Sequence, residues 1–192
     1  MAMARLSYIE RDQAPPELRP VYDAVEAYGS FANQVRSMAH CPPVLEHVMA
    51  LLLALRKEGR LSRRHVELLN VTVAKLNACA YCIAHHAPGL VIEGMSEAGM
   101  ARLPEHEGHP ELDETDRLVV RYAVQMNEAP SRITDGFFDQ LRRHFSEAAI
   151  CELTWRIGLA GAFNRINQAL AIEIESELVQ AGSPTVRQAM EP

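Results

Sequence analysis

Apolar residues recur at helical spacing along most of the chain, and capping residues divide that pattern into segments. Val66, Leu69, Val73 and Leu76 form one stripe, with Ser62 placed to cap its start. Val44, Val48, Leu51, Leu52 and Leu55 form another, opened by Cys41-Pro42-Pro43 and stopped by Gly59. Side chains three and four apart share one face of a helix, so each stripe needs a partner surface to cover it. A strand would need strict alternation, and no stretch supplies it convincingly. Phosphate-cradling patterns such as GxGxxG or GxxxxGK[ST] are also missing from the sequence. The remaining segments read the same way. Pro15-Pro16 opens a helix to about Tyr28, and another begins at Cys79. Ser96 caps a short one ended by Pro104. After the polar loop "PEHEGHPEL", Asp113 caps a helix to about Glu128. Thr134 caps "DGFFDQLRRHF", and Ser146 caps a long helix from about Glu147 to Gln180. The expected fold is all-α, a bundle of about seven to eight helices. Residues 1–14 form an N-terminal extension, 15–180 a single helical domain and 181–192 a C-terminal tail.

Composition excludes several functions. A chain of 192 residues, 48% of them apolar, can fill one core. A net charge of −6 and a pI near 5.8 give no nucleic-acid footprint. The one basic cluster, "RKEGRLSRR", reads as a solvated helix end and turn. The longest apolar run, "VMALLLAL", is too short to span a bilayer, and "MAMARLSYIERDQAPPELRP" lacks the apolar centre of a signal peptide. Four cysteines without export features fit a reducing compartment, so the expected location is cytoplasmic.

The stretch "VELLNVTVAKLNACAYCIAHHAPG" concentrates the reactive side chains. At about 100° per residue, Cys79, Cys82 and His86 fall within an arc of roughly 60°, and His85 points away from His86. If the helices before and after "LNA" pack antiparallel, Glu67 lies about 15 Å back from the turn and His86 about 12 Å forward. The two would be nearly level, which permits a Glu67–His86–Cys82 relay. Both cysteines sit in a first helical turn, where free N–H groups favour thiolate. His86 is four residues beyond Cys82, at contact distance on a helix, which singles out Cys82 as the base-assisted nucleophile. An i, i+3 pair has Cα atoms about 5 to 5.5 Å apart, within disulfide range. Attack by Cys82 on a peroxide would give a sulfenic acid with which Cys79 could condense.

Other readings stay open on the residues alone. Cys79, Cys82 and His86 could take three positions of a zinc site, with Glu67 or water as the fourth. Two buried structural thiols would also explain the pair. Outside the stretch, Cys41 reads as incidental and Cys151, in "AAICELTW", as core. His106 and His109 read as an acidic loop. Gly158 and Gly161 would permit close helix contact. Asn164, Arg165 and Asn167 fit a pocket, a subunit interface or a polar helix face. "LSRRHVELLNVTVA" and "FSEAAICELTWRIGLA" echo each other in serine followed by Glu-Leu, as a duplicated unit or by chance.

Glu67, Cys79, Cys82 and His86, spaced twelve, three and four apart, resemble the signature of the AhpD-like alkylhydroperoxidase family. That family lies within the carboxymuconolactone decarboxylase superfamily. The run "LSRRHVELLNVTVAKLNACAYCIAHHAPGLVIEGMS" is similar to its peroxidase-related branch, as are "LDETDRLVVRYAVQMNEAPSRIT" and "ELTWRIGLAGAFNRINQAL". The resemblance covers about Pro15 to Glu175. It implies a peroxidase in which Cys82 attacks the hydroperoxide, Cys79 is resolving thiol and proton donor, and His86 with Glu67 form the proton relay. It further implies no metal or organic cofactor, a homo-oligomer (trimer or hexamer), and a dithiol reductant, lipoyl-bearing proteins serving in some members. Two positions depart from it: Tyr81 stands where the best-characterised type has histidine, and Pro88 should kink or end the helix early. A non-redox rival would use His86 and Glu67 as acid and base, and a non-catalytic zinc-stabilised module is the remaining alternative.

Overall fold

The computed structural model describes residues 4–29 and 31–181. Among them the regular structure is entirely helical. Ten α-helices follow one another: α1 Arg19–Tyr28, α2 Ala32–Met38, α3 Pro42–Glu58, α4 Arg63–Leu76 and α5 Ala80–Ile92, then α6 Glu97–Arg102, α7 Glu114–Glu128, α8 Asp135–His144, α9 Glu147–Leu170 and α10 Ser176–Ala181. Eight have seven residues or more, so the expected all-α bundle is the observed one. The expected tail lies, beyond Ala181, outside the described residues.

Local chemistry sets most starts. Side chains of Ser62, Ser96, Asp113, Thr134 and Ser146 each accept an N–H bond three residues on, as N-caps should. Asp113 and Asp116 complete a reciprocal capping box. Gly59 ends α3 with φ 64°, a left-handed conformation that costs glycine nothing.

Helix α4 is the centre of the main core, packed against α5, α7 and α9. Leu68, Leu69, Val71, Val73 and Ala74 are all sealed from solvent. Each such leucine or valine contributes about 1.5–3 kcal/mol on burial. A smaller apolar cluster joins α1, α2 and α3 through residues such as Leu18, Val25, Leu45 and Met49. Phe31 packs against both clusters, and the cavity described below is lined by residues of both.

Several expectations need correction. Helix α2 carried no apolar stripe because its buried side chains include Asn33, Gln34 and Ser37. The last long helix stops at Leu170 and does not reach Gln180. Ala171 turns left-handed (φ 51°), and the Ile172 N–H bonds back to the Asn167 carbonyl at 2.9 Å. Burial of Ile172 anchors this stop without a glycine. Pro88 sits inside α5, which continues to Ile92. The α3 stripe marks the helix correctly but not its buried side: Leu45 and Met49 face the core, while Val44 and Leu51 are exposed. That helix is apolar on most sides, so periodicity could not choose a face. Arg64 of the basic cluster turns inward to Asp116 (2.8 Å) and to the carbonyls of Glu93 and Glu111. Cys151 is exposed, on the same outer strip of α9 as Trp155, which is 62% exposed.

Candidate active site

The turn Asn77–Cys79 reverses the chain between α4 and α5, with Ala78 left-handed at φ 50°. Asn77 pins this turn to α7 and α9 by donating to Asn127 and Asn164, each at 3.0 Å. Cys79 is the N-cap of α5 and Cys82 lies in its first turn, with its N–H directed to the Cys79 sulfur at 3.4 Å. The two sulfurs are at disulfide distance, with Cα atoms 5.4 Å apart. Their surroundings differ. Cys79 is 0% exposed, whereas Cys82 is 6% exposed and lines a cavity of about 70 Å³.

The other two expected residues arrive from opposite sides of the same turn. Antiparallel packing brings Glu67 of α4 level with His86 of α5, and His86 Nδ1 lies 2.8 Å from Glu67 Oε2. With Nδ1 held there, Nε2 is the nitrogen left to exchange a proton, and His86 lines the cavity. Gly89 makes this approach possible: a Cβ there would stand 2.8 Å from the Glu67 carboxyl carbon. Cys79, Cys82, His86 and Glu67 are therefore all brought together.

A second carboxylate–imidazole pair occupies the other side of α5. His85 Nε2 is 2.8 Å from Glu175 Oε2, and the Tyr81 hydroxyl donates to Glu175 Oε1 at 3.0 Å. The Asn33 N–H donates to the same oxygen at 2.9 Å. Burial pushes the Glu175 carboxyl up, but the His85 hydrogen bond and charge, with the Asn33 N–H, outweigh it and leave it below the usual range. Burial first, and then the Glu175 charge, drive the Tyr81 hydroxyl far up, so Tyr81 stays neutral. Rings of Phe31 and Tyr81 pack on His85 with centroids 4.7 and 4.1 Å away. The departure at Tyr81 thus comes with its own partner set.

Residues distant in sequence complete the cavity. Asn167 donates to the Cys82 sulfur at 3.4 Å and is itself held by Gln34 Nε2 at 3.2 Å. A donor aimed at sulfur favours its anionic form. Asn164 also lines the cavity; Arg165 does not, and donates to the Gly161 carbonyl at 2.9 Å. Arg156 lines it as well, paired through Nε with Glu152 at 2.8 Å. The two echoing segments therefore each place a glutamate, Glu67 or Glu152, on a cavity-lining basic side chain. Sequence reasoning had no signal for Gln34, Glu175 or Arg156, and Asn167 was only one of three polar residues on a helix face.

Of the two histidines in the polar loop, His109 is structural. His109 is buried, with Nε2 on the Gly99 carbonyl and Nδ1 accepting from the Glu111 N–H. Among the described residues no three His, Cys, Asp or Glu side chains are disposed to hold a metal ion. No described helix is long and apolar enough to cross a membrane.

The sequence profile of the carboxymuconolactone decarboxylase family matches residues 42–108, which include α4, the CxxC turn and all four site residues. Over that third of the chain the sequence is similar to this family, and the fold is AhpD-like. Its fold is shared with an uncharacterised peroxidase-related protein with the alkylhydroperoxidase AhpD core from Ralstonia eutropha JMP134. That match has a TM-score of 0.79 and 20% identity, over 93% of this chain and 95% of that one. The debrominase Bmp8, in complex with 2,3,4-tribromopyrrole, superposes with a TM-score of 0.78 and 19% identity, over 97% and 100% of the two chains. YnjA of Escherichia coli K12 is 24% identical over 146 residues, 76% of this chain and 80% of YnjA. AhpD-like architecture thus accounts for the whole described fold, including the α4–α5 hairpin that carries the cysteines.

Proposed function

We propose that this protein is a thiol peroxidase that reduces organic hydroperoxides at Cys82. The carrying observation is the inequality of the two sulfurs: Cys82 opens onto a cavity it shares with His86, and Cys79 is sealed behind it. The Cys82 thiolate attacks the terminal peroxide oxygen, the O–O bond breaks, and the alkoxide takes a proton to leave as alcohol. His86 Nε2 is the proton-carrying group, oriented by Glu67 at Nδ1. Cys79 then attacks the sulfur of the Cys82 sulfenic acid, forming the disulfide and releasing water. A dithiol reductant, a lipoyl-bearing protein among the candidates, returns both thiols by exchange. Per cycle one hydroperoxide and two reducing equivalents give one alcohol and one water. Neither metal nor organic cofactor enters this scheme. Homo-oligomerisation and a cytoplasmic location belong to the same proposal.

The test is hydroperoxide consumption with a dithiol reductant. Cys82→Ser should abolish it, while Cys79→Ser should stop turnover yet leave a sulfenic acid on Cys82, visible as one added oxygen by mass spectrometry. Full activity in Cys82→Ser would sink the proposal and favour the acid–base rival, in which His86→Ala matters most. A second reading follows from the bromopyrrole bound to the debrominase relative and the aromatic cavity walls here, Phe31 and Phe163. The same two thiols can deliver two electrons to a carbon–bromine bond, becoming a disulfide as bromide and a C–H product form. Bromide release from 2,3,4-tribromopyrrole, with no hydroperoxide turnover, would select it.

A further inference from the structure

Among the residues that line the cavity, only Arg156 carries a permanent charge. It is 6% exposed, and the wall around it includes Met49, Leu52, Leu159 and Phe163. Its Nε bonds Glu152, and among the described residues nothing pairs with its two Nη groups. Those nitrogens are not among the polar atoms that are both sealed and unpaired, so they open onto accessible space. Arg156 is otherwise buried and lines the cavity, the nearest space those donors can serve. Arg60 lies 3.9 Å from the other oxygen of Glu152 and pairs more closely with Glu58, so the four side chains are neutral together. What the cavity is offered is the donor edge of Arg156 and not a surplus charge. Peroxide cleavage needs a thiol and a proton carrier, both already supplied by Cys82 and His86. A buried guanidinium in an apolar wall is costly unless something uses its donors.

We propose that Arg156 binds a carboxylate on an otherwise apolar substrate. The site would then prefer organic hydroperoxides that carry a carboxylate over uncharged ones. This rests on the thiol-peroxidase reading of the same cavity. The apolar walls hold the hydrocarbon body, and the two Nη groups make the bidentate contact for which a guanidinium is shaped.

The test separates binding from chemistry. Titration calorimetry of the wild-type protein compares 3-phenylpropanoate with its neutral isostere 3-phenylpropanamide. The acid should bind at least about tenfold tighter, the effect of one charge-assisted contact. Replacing both charges together, with Glu152→Gln and Arg156→Met, should reduce that preference to about twofold or less while circular dichroism stays helical. Arg156→Lys, which keeps charge without the fork, should fall between. Equal affinities in the wild type, binding of neither compound, or a preference that survives in the folded double variant would each overturn the proposal. Should the double variant not fold, the wild-type comparison and Arg156→Lys still decide. A separate assay with tert-butyl hydroperoxide, which has no carboxylate, reads the thiol chemistry alone. If that assay fails and the acid preference holds, the hydroperoxide reading falls and the carboxylate site stands.

Discussion

Two glutamate–histidine pairs flank helix α5, and their surroundings differ. On one side Glu67 holds His86, whose ring reaches the cavity beside Cys82. On the other, Glu175 gathers His85, Tyr81 and the Asn33 backbone into a mostly buried cluster that meets the cavity through Tyr81. The first pair joins adjacent helices across a short turn and keeps one imidazole nitrogen available. The second ties the chain after α9 onto α5 and α2. Under the proposed function, similar chemistry serves proton exchange where it borders the cavity and fixes architecture where it is buried. Residue type alone does not tell these uses apart; access does.

The largest expected effects set the pairs against each other. His86→Ala should lower hydroperoxide kcat/KM by about 10²–10⁴-fold, the usual worth of a positioned acid–base group, with little loss of thermal stability. His85→Ala should do the reverse, lowering the unfolding midpoint more than the chemistry. Equal kinetic losses in both variants would erase the distinction.

Next comes orientation of His86. Glu67→Gln should raise the Cys82 pKa in a thiol-alkylation titration of the reduced protein, and Gly89→Ala should do so in part by displacing the Glu67 carboxyl. An unchanged titration in both would remove Glu67 from the relay. The enclosed pair gives a different signature. Glu175 has a folded-state pKa below its ordinary value of 4.5, so its stabilising contribution is complete above that value. It is lost as pH falls through the lower folded value. Glu175→Gln should therefore lower stability at neutral pH by about 1–3 kcal/mol, and flatten the acid limb of stability against pH below 4.5. Denaturant melts across that range test both parts. The smallest effect concerns the scaffold shared by the pairs. Ser62→Ala removes the cap of α4 and should cost about 1 kcal/mol without moving the thiol pKa.

The Glu67 arm was legible before any coordinates because each of its determinants is short in range. Cys79, Cys82 and His86 are neighbours on one helix, and Glu67 lies a single hairpin away. The Glu175 arm was not, because it depends on Ala171 ending α9 in a left-handed residue. No glycine or proline marks that stop, and an apolar pattern read straight through it to Gln180. Burial of Ile172 and the bond to the Asn167 carbonyl make the stop favourable, and both exist only once the bundle is assembled. Cys151 was misjudged, and the buried side of α3 was not legible, for a related reason. Apolar neighbours in sequence suggest burial, but which side of a helix is covered depends on what packs there.

The sequence by itself determined most of the helices, their N-caps and the shared face of two thiols and an imidazole. These follow from backbone hydrogen bonds and side-chain spacing within a few residues. Only the tertiary structure decided that Cys82 and not Cys79 meets the cavity, that Asn167 and Gln34 support its sulfur, and that Arg156 faces the same space. Those are matters of which surfaces lose water to one another, a property of the packed chain and not of any segment in it.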